Sequence, residues 1–206
     1  SLTFSSDTSG IEFEPNDSVA TAQTLAIDEP LVGQLSDGND VDVYAVNIAQ
    51  PGQLKLTFFS EANAYSGWIY GVVDASGVVL VSSVCNGSGC QRNGLETEQS
   101  VGISAAGIYY VTVVAEGNYA APSASYELSL TFSSDTSGIE FEPNDSVATA
   151  QTLAINESLV GQLSDGNDVD VYAVNIAQPG QLKLTFFSEA YVFDGWIYSV
   201  VDASGV

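Results

Sequence analysis

Residues 1–78 recur as residues 129–206, at a fixed offset of 128 and without a gap. Seven positions differ: Asp28/Asn156, Pro30/Ser158, Asn63/Tyr191, Ala64/Val192, Tyr65/Phe193, Ser66/Asp194 and Gly71/Ser199. A period of this kind makes the chain an array of one structural unit rather than a mosaic of unrelated ones. The ends set the phase. "SLTFSS" opens the chain and recurs inside "SYELSLTFSS"; "VDASGV" closes it where the first copy runs on into "VLVSSVCNGSGC". The expected division is the last strand of a preceding unit plus linker (1–10), a complete unit (11–133), a linker (134–138) and a truncated second unit (139–206). That is the look of a window on a longer periodic chain. Near-identity of tandem copies points to a spacer or scaffold, since paired catalytic domains diverge.

Within the unit, hydrophobicity alternates with period two. Tyr44, Val46 and Ile48 share a face, as do Leu54, Leu56 and Phe58, and as do Tyr126, Leu128, Leu130 and Phe132. Strict alternation is the mark of half-buried strands. Eight are expected, over 31–35, 41–49, 53–60, 67–74, 78–84, 98–104, 107–115 and 125–133. Turns such as "SDGND", "QPGQ", "DASG" and "AAG" separate them. Short strands at this spacing predict an all-β sandwich. One segment breaks the pattern: "NDSVATAQTLA" predicts a short helical turn capped by Asp17 or Ser18 and carrying Val19, Ala22 and Leu25. Four of the seven differences are consecutive, "NAYS" against "YVFD", between two strands. They read as a tolerant loop tip, or as a contact surface between neighbours.

Charge narrows the function. There are 26 acids against three basic residues, Lys55, Arg92 and Lys183, for a net charge of −23, and there is no histidine. Phosphate contact needs clustered Lys and Arg, so nucleic acid is excluded as a partner, and anionic membrane surfaces are disfavoured. No apolar run approaches the length of a membrane span. Without histidine, Ser-His-Asp and Cys-His catalysis cannot be assembled, and the expectation is no enzyme. Cys85 and Cys90 flank a Gly/Asn/Ser turn in "CNGSGC", with no partners to complete a zinc site. A small disulfide ring is expected, and with it an oxidising, extracellular or cell-surface setting. Trp68, Tyr70, Tyr109, Tyr110 and Tyr119 read as core or sheet-face aromatics, with a sugar-stacking platform as the rival. Asn16, Asn86, Asn144 and Asn156 each begin an N-glycosylation sequon.

The acids are not spread evenly. "EFEPND" crowds Glu12, Glu14 and Asp17 around Asn16, and recurs as Glu140, Glu142, Asn144 and Asp145. "SDGNDVDVY" adds Asp37, Asn39, Asp40 and Asp42 just before a strand, with Asn167, Asp168 and Asp170 in the second copy. Carboxylates about 4 Å apart repel by about 1 kcal/mol in water and about 4 kcal/mol at an effective dielectric near 20. Something must tolerate that repulsion. The bland reading is a solvated acidic loop with a helix cap. The sharper one is Ca2+, which takes six to eight oxygen ligands from such residues. In an extended chain Glu12, Glu14 and Asn16 fall on one side.

Taken together, "EFEPNDSVATAQTL", "GQLSDGNDVDVYAVNIAQPGQLKLTF", "DASG", "AAGIYYVTVV" and "SYELSL" resemble the bacterial pre-peptidase C-terminal (PPC) domain. The resemblance covers 11–133 and, in truncated form, 139–206. It implies a jelly-roll-type antiparallel β-sandwich in a secreted protein, often trailing a protease. It also implies calcium, held by Glu12, Glu14, Asn16, Asp17, Asp42 and either Asn39 or Asp40. In the second copy the set is Glu140, Glu142, Asn144, Asp145, Asn167, Asp168 and Asp170. No protease domain is present in these residues, and the unit is arrayed in tandem. The expected function is therefore an extracellular structural repeat, a calcium-stiffened stalk, fibre or adhesin shaft whose partners are neighbouring copies of the same repeat. The alternative is an accessory module of a secreted hydrolase that binds polysaccharide or a collagen-like ligand.

Overall fold

The computed structural model describes residues 10–60, 67–86, 97–117, 125–164, 166–188 and 195–202. Nine strands form between Gln23 and Ser133, several with strict period-two burial: β1 (Gln23–Thr24), β2 (Leu31–Gly33), β3 (Val41–Ile48), β4 (Gly52–Ser60), β5 (Gly67–Val73), β6 (Val79–Asn86), β7 (Thr97–Ile103), β8 (Gly107–Ala115) and β9 (Tyr126–Ser133). The eight expected strands are all present within one or two residues of their expected bounds. One sheet runs β1-β3-β8-β5-β6 and the other β2-β9-β4-β7. Apart from the parallel β1–β3 pair, every pairing in these two sheets is antiparallel. Each sheet interleaves early with late strands, which is the jelly-roll form of the β-sandwich.

The two inner faces bury the alternating residues against one another. Phe58 of β4 is the centre of the contact: its ring stacks on Tyr70 of β5 at 4.5 Å and on Tyr126 of β9 at 5.5 Å, and meets Trp68 tilted at 5.7 Å. Ring pairs in this range contribute about 0.5–1.5 kcal/mol beyond burial. Trp68 and Tyr70 are thus core residues and offer no sugar platform. The Tyr109 hydroxyl is turned back to the Ala105 carbonyl at 2.9 Å. Tyr119 lies outside the described residues, as do the variable loops 63–66 and 191–194 and the second cysteine, Cys90. Cys85 itself is buried at the end of β6, opposite Trp68.

The helical turn expected after Asp17 does not form. Ser18–Thr21 make one hydrogen-bonded turn, Thr21 N–H to Ser18 carbonyl at 2.9 Å, and the chain then enters β1. So short a segment cannot repay helix nucleation. Pairing with β3 instead satisfies its backbone: Gln23 and Thr24 lie opposite Tyr44 and Ala45, and the Leu25 N–H reaches the Ala45 carbonyl at 2.9 Å. Leu25 is buried by that pairing while Val19 stays exposed.

Residues 139–173 reproduce the backbone bonds of 11–45. Glu140 N–H to Val160 O matches Glu12 N–H to Val32 O, at 3.2 and 3.1 Å. The strands β10 (Gln151–Thr152) and β11 (Tyr172–Ala173) pair in parallel as β1 and β3 do. Beyond Ala173 the likeness ends, and among the described residues 174–202 carry no strand. Their counterparts in the first copy draw their ladders from β6 to β9, none of which recurs after residue 173 in these 206 residues. The same side chains therefore change environment: Phe58 is fully buried, whereas Phe186 is 46% exposed. Among the described residues no helix is long and apolar enough to cross a membrane.

Candidate metal centre

The candidate site lies where the chain enters the sandwich. The segment 11–17 runs beside β2 and β3, tied down by Glu12 N–H to Val32 O at 3.1 Å and by Val43 N–H to Asn16 O at 3.0 Å. Gln23 clamps it from the other side, its amide accepting from Phe13 N–H at 2.7 Å and donating to the Ile11 carbonyl at 2.8 Å. The Glu14–Pro15 and Glu142–Pro143 peptides are cis. This path brings carboxylate oxygens of Glu12, Glu14 and Asp42 within 4.8 Å of one another, and likewise those of Glu14, Asp17 and Asp40. Glu14 belongs to both groups, so the acids form one continuous rim.

Glu12 is held by donors on both oxygens. Oε1 accepts from Asn16 Nδ2 at 3.0 Å and from the Tyr44 hydroxyl; Oε2 accepts from Gln34 N–H at 2.7 Å. The Tyr126 hydroxyl donates to Asp42 Oδ2, and the two tyrosine oxygens lie 2.6 Å apart. Gly33 makes room for this pair: a Cβ there would lie 2.5 Å from the Tyr126 ring and 2.7 Å from the Tyr44 oxygen. Asp40 is the rim's anchored acid, accepting from Ser36 N–H and from Val41 N–H at 2.9 Å. Asp37 caps the turn, accepting from Asn39 N–H at 2.7 Å, and Asn39 is exposed.

Two oxygens at the centre have no partner. Asn16 and Asp42 are fully buried, and Asn16 Oδ1 and Asp42 Oδ1 accept no hydrogen bond. An unpaired buried acceptor costs about 1–3 kcal/mol, more when charged. Burial pushes Asp42 up to about 8; the Tyr126 donation opposes this and the nearby Glu12 and Asp40 add to it. Burial also raises Glu14, against the Asn16 N–H bond and with Asp40, Glu12 and Asp17 reinforcing it. Asp40 goes the other way: burial pushes it up, but the bonds from Ser36, Asp17 and Val41 prevail and hold it below the usual carboxylate range. Acceptors without donors, and acids that resist ionisation beside one another, are what a divalent cation relieves. The donor set is all oxygen, which suits Ca2+ and disfavours Zn2+. Glu14, Asn16, Asp17, Asp40 and Asp42 are the residues that would hold it, with Glu12 positioned behind them.

The second copy builds the same cluster. Oxygens of Glu140, Glu142 and Asp170 lie within 4.8 Å of one another, and Glu142 Oε1 and Asp170 Oδ1 are buried without a partner. Asn144 Nδ2 donates to Glu140 Oε1 at 3.0 Å, matching Asn16. Asn144 differs in that its Oδ1 accepts from Val171 N–H at 3.2 Å. Burial, then neighbouring acids, push Glu142 and Asp170 each up to about 7. Asp168 accepts from Ser164 N–H as Asp40 does from Ser36, while Asp145 and Asn167 are exposed. The tyrosines were not among the expected site residues. Tyr44 had a signal, standing two places after Asp42 on the same face; Tyr126 comes from a strand far along the chain and had none.

No family model and no curated protein matches the chain. Among solved structures it is similar to the pre-peptidase C-terminal domain of the collagenase from Bacillus anthracis, at 22% identity over 53% of this chain and 94% of that one, with a TM-score of 0.39. It is similar to PliG of Aeromonas hydrophila, a periplasmic inhibitor of g-type lysozyme, at 14% identity over 53% and 96%, TM-score 0.36. A β-1,3-glucan-binding module from Bacillus halodurans is similar at 14% identity over 54% and 98%, TM-score 0.30.

Proposed function

We propose that the chain is a calcium-binding, non-catalytic accessory module of PPC type, working outside the cytoplasm. The observation that carries this reading is the pair of buried, unpartnered oxygens, Asn16 Oδ1 and Asp42 Oδ1, facing a rim of acids. The acids serve as ligands rather than as a reaction centre, and the chain has no histidine to act as a base. The pairing of Cys85 with Cys90 belongs to the same extracellular reading, and thiol alkylation before and after reduction tests it. Calorimetric titration of the intact chain with CaCl2 is the test of the cation. Heat with saturation at micromolar to millimolar calcium supports the reading; no heat overturns it.

As an accessory module its ligand would be an extracellular polysaccharide or a collagen-like fibre. The names of the similar modules set the probes: β-1,3-glucan and collagen fibrils, each offered to the intact chain with calcium and with EDTA. A second reading, a calcium-stiffened stalk of tandem units, is favoured by one specific contact. Gln162 Nε2 of the second copy donates to Gln99 Oε1 of β7 in the first at 2.7 Å, so the copies pack rather than hang apart. The two probes distinguish the readings, since a stalk retains neither.

A further inference from the structure

The two acidic clusters are the same in sequence and differ in burial. Glu12 is half-buried and Glu14 exposed, whereas Glu140 and Glu142 are 7% and 8% exposed. Phe13 is exposed and Phe141 is half-buried. The cover comes from the first copy. A Cβ placed on Gly102 of β7 would lie 1.7 Å from the Glu140 carbonyl oxygen, 2.8 Å from its carbon and 3.0 Å from the Phe141 ring. All three nearest atoms belong to the second copy. Gly102 is therefore a close-approach glycine for the neighbour, and its own strand does not require one. A cavity of about 80 Å³ remains at this seam, lined among others by Val81, Ser100 and Gly102 on one side and by Glu142 and Gly161 on the other.

We propose that the Gly102 edge of the first copy is the lid of the second copy's cation site, so that closing the seam and binding calcium there are one coupled equilibrium. This rests on the cation reading above. Closing the seam strips water from Glu140 and Glu142 and brings their repulsion into a lower dielectric, which is costly while the charges stand alone. A divalent ion between them cancels that cost and is itself held more strongly where water is excluded. The cation therefore prefers the closed seam, and by linkage the closed seam prefers the cation. Among the described residues, no corresponding edge packs over the Glu12–Glu14–Asp42 cluster, whose Glu14 is exposed. The second site consequently binds calcium more tightly than the first, although the acids are identical in the two copies.

The test is calorimetric titration of the whole chain with CaCl2, using Asp42→Asn and Asp170→Asn to assign the two sites. The expected result is two affinities, the tighter one lost in Asp170→Asn. Gly102→Val, which suits a strand but cannot clear Glu140, weakens the tighter site by between about 5- and 150-fold, the usual span of coupled sites, and leaves the first unchanged. Gln99→Ala removes the bridge to Gln162, along with the Gln99 Nε2 bond to Ser83 Oγ within the first copy, and shifts the same site in the same direction by less, which keeps the test open if the valine disturbs folding. X-ray scattering reads the seam directly: calcium compacts the parent chain and fails to compact Gly102→Val. Equal affinities at both sites, unmoved by either seam variant, overturn the coupling while leaving the cation reading intact. Absence of binding at both sites overturns the cation reading and the coupling with it.

Discussion

The Tyr126 hydroxyl of β9 donates to the Asp42 carboxylate of β3, a bond between the two sheets across 84 positions of sequence. It ties the cation cluster to the aromatic core, because the Tyr126 ring stacks on Phe58. The site is therefore part of the sandwich closure and not an appendage of the entry loop. On the proposed reading, loss of a cation would be felt through the core, and disturbance of the core would be felt at the acidic cluster.

Asp42→Asn separates the two roles of that carboxylate. In EDTA above about pH 8, where Asp42 is ionised, the variant is more stable than the parent by at least about 1 kcal/mol, the size of one carboxylate repulsion in water. With calcium the order reverses, because a ligand charge is gone and affinity falls by at least about tenfold, or about 1.4 kcal/mol. Thermal melts of both proteins in EDTA and in calcium read the crossing. Parallel curves under both conditions would remove Asp42 from the site.

Acidity gives a second handle. Asp42 is pushed up to about 8, and Glu142 and Asp170 to about 7, all by burial first. The folded, cation-free chain thus keeps protons that the unfolded chain has released above about pH 4. Stability from these groups is full below that pH and is lost as pH rises through about 7 to 8. Urea midpoints measured from pH 5 to 8 in EDTA should fall steadily. Saturating calcium should flatten the slope, and an equal slope with and without calcium would contradict the account.

Gly33→Ala tests the tyrosine pair without touching a ligand. The added methyl must displace the Tyr126 ring or the Tyr44 hydroxyl, at an overpacking cost of about 1–3 kcal/mol. Calcium affinity should drop with stability, since Glu12 and Asp42 are both positioned by those hydroxyls. An unchanged melting temperature would mean that the pair is not as close as described.

The unequal burial of the two copies predicts unequal protection. Leu54, Leu56 and Phe58 are fully buried, while Leu182, Leu184 and Phe186 are each more than 40% exposed. Hydrogen exchange should be slow across β3 and β4 and fast across 174–188. Protection of 174–188 equal to that of β4 would show that this segment is covered in solution.

Eight strands were legible because alternation with period two is clear in several, β4 and β9 above all, and turns separate the rest. The stretch before Leu25 was not, because its outcome was decided by a vacancy beside β3 and not by its own propensity. The acids of the site were legible as types and spacing, and Asn16 was legible as their neighbour. Tyr126 was invisible, since nothing local shows which strand will lie across from Asp42. The unequal burial of Glu14 and Glu142 could not be read from sequence at all. The residues and their neighbours are the same, and the difference is made by what packs over them.

The central claim is that the oxygens around Asn16 and Asp42 hold calcium. The direct measurement is an anomalous-difference map from crystals of the chain grown in CaCl2. The account predicts a peak at about 2.3–2.6 Å from Asp42 Oδ1 and Asn16 Oδ1, with Glu14 in the same shell. A map showing only water among those side chains, at full calcium occupancy of the mother liquor, would contradict it.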